Sequence, residues 1–215
     1  MRIVAIADTH LFTDDLVLPD GDVLVHAGDL CRRGNFGELE RAAAWIAAQP
    51  HRHKVVIAGN HDWAFVDEPD RARALFACYL QDEAATIDGV RFYGSPWQPA
   101  FNDWAFNLPR GEALAAKWRA IPSGLDVLVT HVPPAGIGDD TEVAGRQGCA
   151  DLRARVAEVA PRLHLFGHIH RDGGLWRDGA TTFANVTTWE CERGATVLDL
   201  DAHAVTPVDV PPRAR

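Results

Sequence analysis

Short apolar runs in this sequence end abruptly on polar residues. The clearest run occupies residues 54–62, KVVIAGNHD, where three successive aliphatic residues are typical of a buried strand and Gly59 permits a tight turn. Four other apolar runs end in the same way, on the segments at residues 8–10, 26–29, 131–134 and 167–170. The pattern therefore predicts five strands, each followed closely by Asp, Asn or His.

Helical periodicity appears between these strands. Residues 36–49 carry apolar side chains at helical spacing, and they complete a β-α-β unit with the strands on either side. In an open α/β sheet, ligands bind in the crevice at the carboxyl ends of the strands, so the polar residues after the five runs are expected to converge there. Further helices are predicted at residues 70–81, 112–121 and 151–160, and further short strands at residues 90–93, 175–176, 181–186 and 195–200.

Residues 94–111 form the least regular part of the chain. The segment contains three prolines and the aromatic residues Trp97, Phe101, Trp104 and Phe106. Two interpretations remain open. The rings either wall a substrate pocket, where an aromatic face can stack on a base, or pack beneath the segment as a satellite core. Trp97 is the candidate for the pocket.

Length and composition are those of one globular domain. With 215 residues, of which 47% are hydrophobic and 24% charged, the chain is expected to form a single domain over residues 1–215. Residues 207–215 contain Pro211 and Pro212, and they are expected to be a frayed tail.

The net charge and the short apolar runs argue against two classes of partner, nucleic-acid polymers and membranes. The formal net charge of -9 argues against stable binding of a nucleic-acid polymer, because such surfaces are normally basic. No run approaches the roughly 18 apolar residues of a membrane span, and only five apolar residues lie between Arg2 and Asp8, too few for a signal peptide. The four cysteines are scattered without a C-x-x-C pair, as in a reducing compartment. A cytoplasmic protein with no membrane partner is expected, and the sequence does not determine its oligomeric state.

Seven residues at the predicted strand ends offer carboxylate, amide or imidazole ligands and no thiolate. Such ligands suit Mn, Fe, Zn or Co more than a structural zinc site. Seven ligands exceed the needs of one four- or six-coordinate ion with an open position, whereas two ions that share one carboxylate would use all of them. A single His or Asp after a strand is ordinarily a cap or a turn residue, so the prediction rests on the combination. The residues are Asp8, His10, Asp29, Asn60, His131, His168 and His170.

The motifs Asp-x-His, Gly-Asp, Gly-Asn-His-Asp, a single His and Gly-His-x-His follow the strands in this order. This set resembles the calcineurin-like metallophosphoesterase superfamily. The resemblance runs from Asp8 to about Val186, and it implies a four-layer α/β/β/α fold in which two mixed β-sheets pack face to face with helices outside. Within this superfamily, more specific motifs resemble the metallophosphoesterase-domain-containing branch. They are GSPWQP at residues 94–99, FNLPRG at 106–111, Gly148-Cys149 and PRLHLFGHIH at 161–170.

The resemblance implies a dinuclear metal centre of two divalent or mixed-valence ions and a substrate-facing histidine. His61 would contact the phosphoryl group and protonate the leaving oxygen, a role that suits imidazole near neutral pH. Asp62 would either fix the tautomer of His61 or cap the next helix. His26 is expected to hydrogen-bond behind the metals. Carried over by position, Asp8, His10 and His170 would bind the first ion, Asn60, His131 and His168 the second, and Asp29 would bridge them.

One further motif concerns phosphate binding. GDLCRRG at residues 28–34 resembles the GDxVDRG signature of the phosphoprotein phosphatases, whose arginine grips phosphate, but Arg32 stands where that signature has an acidic residue. Arg33 is therefore either a substrate contact or an ordinary exposed arginine, and phosphoprotein phosphatase activity is disfavoured. The other candidate substrate contacts are Asn60, His61 and Trp97.

The expected function is hydrolysis of small phosphodiesters, including cyclic nucleotides, by a metal-dependent phosphodiesterase. The mechanistic hypothesis is direct attack of a metal-bound hydroxide on phosphorus, without a covalent enzyme intermediate. Within the superfamily the alternatives are a phosphomonoesterase and a nuclease, of which the nuclease is disfavoured by the acidic composition. Outside the enzymes, the alternative is a metal-stabilised module that binds nucleotides without turnover.

Overall fold

The chain folds into two large β-sheets with helices on their outer faces. The computed structural model describes residues 1–213. Its helices are α1 (Phe36–Ala48), α2 (Ala64–Asp67), α3 (Pro69–Arg73), α4 (Glu112–Arg119) and α5 (Ala150–Val159). Its strands are β1 (Arg2–Ile6), β2 (Val23–Ala27), β3 (His53–Ile57), β4 (Glu83–Ile87), β5 (Val90–Ser95), β6 (Gln98–Pro99), β7 (Asn107–Leu108), β8 (Val127–Thr130), β9 (Leu163–Phe166), β10 (Gly174–Asp178), β11 (Thr181–Asn185), β12 (Thr196–Leu200) and β13 (Val205–Asp209).

Both large sheets have a parallel centre. The first sheet has the order β13-β12-β1-β2-β3 and the second the order β10-β11-β9-β8-β5-β4, while β6 and β7 form a small separate pair. Strands β1, β2 and β3 are parallel, as are β5, β8, β9 and β11. The remaining strands of the large sheets pair antiparallel. Parallel neighbours end at the same edge of a sheet, so the segments that follow β1, β2 and β3 lie together, as do those after β8 and β9.

The alternation of side chains along each strand divides the core into layers. In β1, Ile3 and Ala5 belong to the cluster between the sheets, whereas Val4 packs with α1. In β9, Leu165 belongs to the cluster between the sheets, whereas Phe166 packs with α4 and α5. Strands buried on both faces explain the continuous apolar runs of the sequence. The structure thus confirms the four-layer α/β/β/α fold.

The helix predicted over residues 70–81 is wrong beyond α3, which ends at Arg73. The chain then turns at residues 74–76 and passes beside β3 at residues 78–80. There, Val56 donates its N–H to the carbonyl of Cys78 at 2.9 Å and accepts the N–H of Leu80 at 2.9 Å. These bonds cover the outer edge of β3, which would otherwise expose unpaired backbone groups. A tertiary contact has therefore overridden local helical periodicity.

The expectation of a frayed tail over residues 207–215 is corrected for residues 207–212. Strand β13 extends to Asp209 and pairs with β12. Beyond it, the buried guanidinium of Arg193 donates to the carbonyls of Pro211 and Pro212, both at 2.6 Å. These contacts hold the chain as far as residue 212, and residues 214 and 215 lie outside the described residues.

Over residues 1–213, every helix is too short or too polar to cross a lipid bilayer.

Candidate metal centre

The polar residues that follow β1, β2, β3, β8 and β9 meet at one place. Two groups of side chains have ligand atoms within 4.8 Å of one another, and Asp29 belongs to both. The amide oxygen of Asn60 lies 2.9 Å from His131 Nε2 and 2.8 Å from His168 Nδ1, which places Asn60 with the second group. The first group is Asp8, His10, Asp29 and His170, and the second is Asp29, His131 and His168.

The backbone is strained where it presents these side chains. Asp8, His10, Asp29 and His168 all have φ in the left-handed region, at 56°, 45°, 59° and 69°. Such a conformation costs a non-glycine residue on the order of 1–3 kcal/mol and persists only where the surroundings enforce it. Four strained residues among the seven candidate ligands indicate that the backbone is shaped to aim these side chains.

Two imidazoles are oriented by backbone carbonyls. His10 Nδ1 lies 2.9 Å from the carbonyl oxygen of Cys31, and His131 Nδ1 lies 3.0 Å from that of Ala27. A carbonyl oxygen only accepts, so each Nδ1 carries the donated proton. Each Nε2 then faces the carboxylate of Asp29, at 3.7 Å for His10 and 3.4 Å for His131. Metal-binding histidines commonly donate their other ring N–H to a carbonyl in this way.

The residues present fit a bound cation. Among residues 1–213, His10 Nε2 is one of the buried side-chain nitrogens without a hydrogen-bond partner. Its lone pair faces the carboxylates of Asp8 and Asp29, an arrangement that is unfavourable in the absence of positive charge. A cation bound by the imidazole and the carboxylates together removes this conflict. The mixed oxygen and nitrogen ligand set suits a divalent transition metal.

Electrostatics within the site keep the shared carboxylate ionised. Burial acts to raise the pKa of Asp29, but the facing imidazoles, foremost that of His131, hold it well below its usual range. Burial likewise acts to lower the pKa of His131, but the charge of Asp29 and the hydrogen bond to it raise that pKa to about 9. Asp29 is therefore available as an anionic ligand although it is buried.

His26 lies behind the first group. Its Nε2 is 2.9 Å from the hydroxyl oxygen of Thr9, the residue between the strained Asp8 and His10. Burial lowers the pKa of His26 to about 3, so its imidazole is neutral. The contact supports the turn that carries two of the candidate ligands.

Asp62 has partners other than those expected from the sequence. Its buried carboxylate accepts the backbone N–H groups of Leu30, Cys31 and Gly59, at 3.2, 2.9 and 2.8 Å. The tautomer of His61 is fixed by the backbone carbonyl of Arg32, so the expectation that Asp62 orients His61 is corrected. Asp62 instead ties the segment after β2 to the turn after β3.

His61 lies on the side of the site occupied by His10, with ring centroids 4.6 Å apart. Its Nδ1 donates to the carbonyl of Arg32 at 2.8 Å, and its backbone N–H donates to Asp29 Oδ1 at 2.8 Å. The ring of Trp104 lies against it, with centroids 4.1 Å apart. Trp104 was not singled out in the sequence, where its position in the aromatic segment was the only signal.

Two other predicted substrate contacts lie in less direct positions. The indole N–H of Trp97 donates to Asp82 at 2.8 Å, and Lys117 Nζ lies 4.1 Å from the centre of its ring. These contacts favour packing over substrate binding for Trp97. Arg33 is exposed, and its backbone N–H donates to Glu38 at 2.7 Å. Substrate contact by either residue stays a prediction.

Glycines allow the site to pack closely. Gly59 does not have φ in the left-handed region, so the turn itself does not require glycine. A Cβ there would collide with Asp29 Oδ1 and would lie 2.7 Å from His131 Cε1. Glycine at this position therefore lets the backbone approach two candidate ligands closely.

The sequence profile of a protein family, Calcineurin-like phosphoesterase, matches residues 1–172. The matched range contains both groups of candidate ligands. The convergence described above therefore falls within the part of the chain that the profile covers.

Individual proteins show the same likeness. Metallophosphoesterase domain-containing protein 1 of Homo sapiens is 42% identical over 213 residues, which covers 86% of this chain and 65% of that protein. The chain thus spans about 65% of this relative's length. UPF0046 protein K07C11.7 of Caenorhabditis elegans is 36% identical over 214 residues, covering 90% of this chain and 71% of that protein. The crystal structure of TT1561 of Thermus thermophilus superposes with a TM-score of 0.65 at 14% identity, over 97% of this chain and 98% of that one, which is a likeness of fold.

The substitution Gly59→Ala tests the close packing of the centre. We expect the added methyl group to displace Asp29 and His131, to lower the free energy of unfolding by about 1–3 kcal/mol and to weaken binding of Mn²⁺. Urea denaturation and calorimetric titration with Mn²⁺ measure the two effects. Gly37→Ala is the matched control, because its Cβ would meet only Asn35, at 3.5 Å. Unchanged Mn²⁺ affinity in Gly59→Ala would contradict the packing argument.

Proposed function

The chain belongs to the calcineurin-like metallophosphoesterase family, and we propose that it is a metal-dependent phosphodiesterase that hydrolyses small phosphodiesters, including cyclic nucleotides. The motifs it shares with the metallophosphoesterase-domain-containing branch support the choice of a diester. The net charge of -9 supports a small substrate over a nucleic-acid polymer.

Two divalent ions are the proposed cofactor. The observation that carries this proposal is the position of Asp29, whose carboxylate belongs to both groups of ligand atoms. When bound, such a pair supplies positive charge to phosphoryl oxygens and lowers the pKa of water towards neutrality. Mn, Fe, Zn and Co all accept this ligand set. Asp8, His10 and His170 would hold one ion, Asn60, His131 and His168 the other, and Asp29 both.

His61 is the proposed proton donor to the leaving oxygen. Because its Nδ1 donates to the carbonyl of Arg32, its Nε2 is the ring atom left to carry a proton to substrate. Trp104 packs against the ring and restricts its rotation. The hydrogen bond from the backbone of His61 to Asp29 fixes the proton donor relative to the shared carboxylate.

Substrate class is tested with metal-stripped protein reconstituted with Mn²⁺. We expect a phosphodiester, bis-p-nitrophenyl phosphate or a 2′,3′- or 3′,5′-cyclic nucleotide, to be hydrolysed with a higher kcat/KM than p-nitrophenyl phosphate, and chelator to abolish turnover. Release of p-nitrophenolate and chromatography of the nucleotides measure the rates. Equal or better turnover of the monoester would assign a phosphomonoesterase instead. Mn²⁺ binding without any turnover would assign a binding module.

Two substitutions separate the proposed roles of His61 and Asp29. His61→Ala removes a proton donor and no ligand, so we expect kcat to fall about 10²–10⁴-fold while the bound metal is retained. Asp29→Ala removes the shared carboxylate, so we expect both metal and activity to be lost. Metal content by mass spectrometry and kcat on a 2′,3′-cyclic nucleotide, whose alkoxide leaving oxygen must be protonated, are the two measurements.

The control for His61→Ala is His203→Ala, at an exposed histidine on the loop between β12 and β13. It should leave both quantities unchanged. Loss of metal from His61→Ala would contradict the division of roles.

A further inference from the structure

A cavity of about 400 Å³ opens beside His168. It lies between the aromatic segment, residues 94–111, and the loop formed by residues 136–148, and its volume is that of a small-molecule site. Val132 and Ile169 line it next to the candidate ligands His131 and His168. The cavity is therefore continuous with the metal centre.

Exposed apolar side chains mark this cavity. Phe101 is 60% exposed and Val143 is 95% exposed, and both line it, one from each flanking segment. Large apolar groups clustered at the rim of a cavity are typical of a binding site, whereas isolated ones are ordinary. Both groups are thus placed to contact an apolar ligand.

The loop that carries Val143 is anchored from within. The buried carboxylate of Asp139 accepts the backbone N–H groups of Gly136 and Gly148, at 2.8 and 3.2 Å, and pairs with Arg146 at 2.6 Å. These bonds close both ends of the loop on one carboxylate. The hydrogen bonds of Asp139 therefore fix this wall of the cavity independently of any contact with a ligand.

The charge around the cavity suits a ligand attached to a phosphate. Among the residues described as lining it, none is a carboxylate, although the chain carries a net charge of -9. Arg110 lines it and donates to the backbone carbonyls of Gln147 and Gly148, both at 3.1 Å. A phosphoester whose organic group lies in the cavity therefore meets no carboxylate among the lining residues.

The proposed proton donor, His61, and its neighbour Trp104 are not among the residues that line the cavity. His61 contacts His10, in the first ligand group, and Trp104 lies against His61, whereas the cavity is lined by His168, in the second group. If His61 protonates the leaving oxygen, the leaving group lies beside Trp104. The cavity is then left for another substituent of phosphorus.

We propose that, in an acyclic diester, this cavity binds the organic group that stays esterified to phosphorus, and that this group is a flat, uncharged ring of aryl or nucleobase size. The inference rests on the proposed function. Hydrolysis breaks the P–O bond to the leaving group and forms a P–O bond to the oxygen of water, while the P–O bond to the group in the cavity stays intact. One proton of water passes to the leaving oxygen by way of His61, and the other is released. A monoester has no group to place in the cavity, so this site selects diesters.

Binding of unreactive phosphonates tests the cavity independently of turnover. Phenylphosphonate and methylphosphonate carry the same anionic head and no scissile ester, so calorimetric titration of the Mn²⁺-loaded protein isolates the contribution of the ring. We expect phenylphosphonate to bind about tenfold more tightly, and Phe101→Ala and Val143→Asp to reduce this preference at least threefold. Val17→Asp, at a residue that is 86% exposed and outside the cavity lining, is the control for added charge and should leave the preference unchanged.

A kinetic comparison holds the leaving group constant. Phenyl p-nitrophenyl phosphate and methyl p-nitrophenyl phosphate both release p-nitrophenolate and differ only in the retained group. We expect the ratio of their kcat/KM values to favour the phenyl ester and to fall in Phe101→Ala and Val143→Asp.

Two results would overturn the cavity assignment. One is a ring preference that survives both cavity substitutions, and the other is a preference lost in Trp104→Ala and kept in Phe101→Ala. Either result leaves the proposed function standing if the diesters are hydrolysed. Absence of all diester turnover overturns the proposed function, and the phosphonate titrations then still decide whether the cavity binds a ring.

Discussion

The buried carboxylate of Asp62 is the constraint on which the geometry of the site depends. It accepts three backbone N–H groups, from Leu30, Cys31 and Gly59, and so joins the segment after β2 to the turn after β3. Without these bonds, each buried N–H would remain unpaired at a cost of about 1–3 kcal/mol. Asp29 lies in the first of these segments and accepts the backbone N–H of His61 in the second. The carbonyl of Cys31 in turn orients His10. One anion outside the ligand set therefore fixes groups within it.

A second buried carboxylate, that of Asp8, connects the two sheets by accepting a backbone N–H group. The backbone N–H of His168, after β9, donates to both carboxylate oxygens of Asp8, after β1, at 3.1 and 3.0 Å. Asp8 also donates its own N–H to the carbonyl of Gly28, and His10 donates to that of Asp29. These bonds hold left-handed backbone conformations that none of the residues would adopt alone. The strained conformations stand directly above the hydrophobic core between the sheets.

Much of this arrangement could be predicted from the sequence because its determinants are local. An apolar run that ends on polar residues reports a buried strand and its exit, and parallel strands place those exits together. Contacts between distant segments leave no such trace. Residues 74–81 have helical periodicity, yet the chain leaves the helix in a turn and residues 78–80 pair with Val56, which offers an unpaired strand edge. Likewise, Trp97 and Trp104 belong to one aromatic segment, and only the tertiary fold pairs Trp97 with Asp82 and lays Trp104 on His61.

The candidate metal ligands and the cavity beside them are positioned by different interactions. The candidate metal ligands are positioned by the ends of the strands and by hydrogen bonds between the segments that follow them, such as those of Asp62. The cavity depends instead on two separate anchors, the pairing of β6 with β7 for the segment that carries Phe101, and Asp139 for the loop that carries Val143. Substitutions at Phe101 or Val143 therefore need not disturb a candidate ligand. In the proposed phosphodiesterase, the ligand set would determine the class of reaction, and the two anchored segments would determine which ester is accepted.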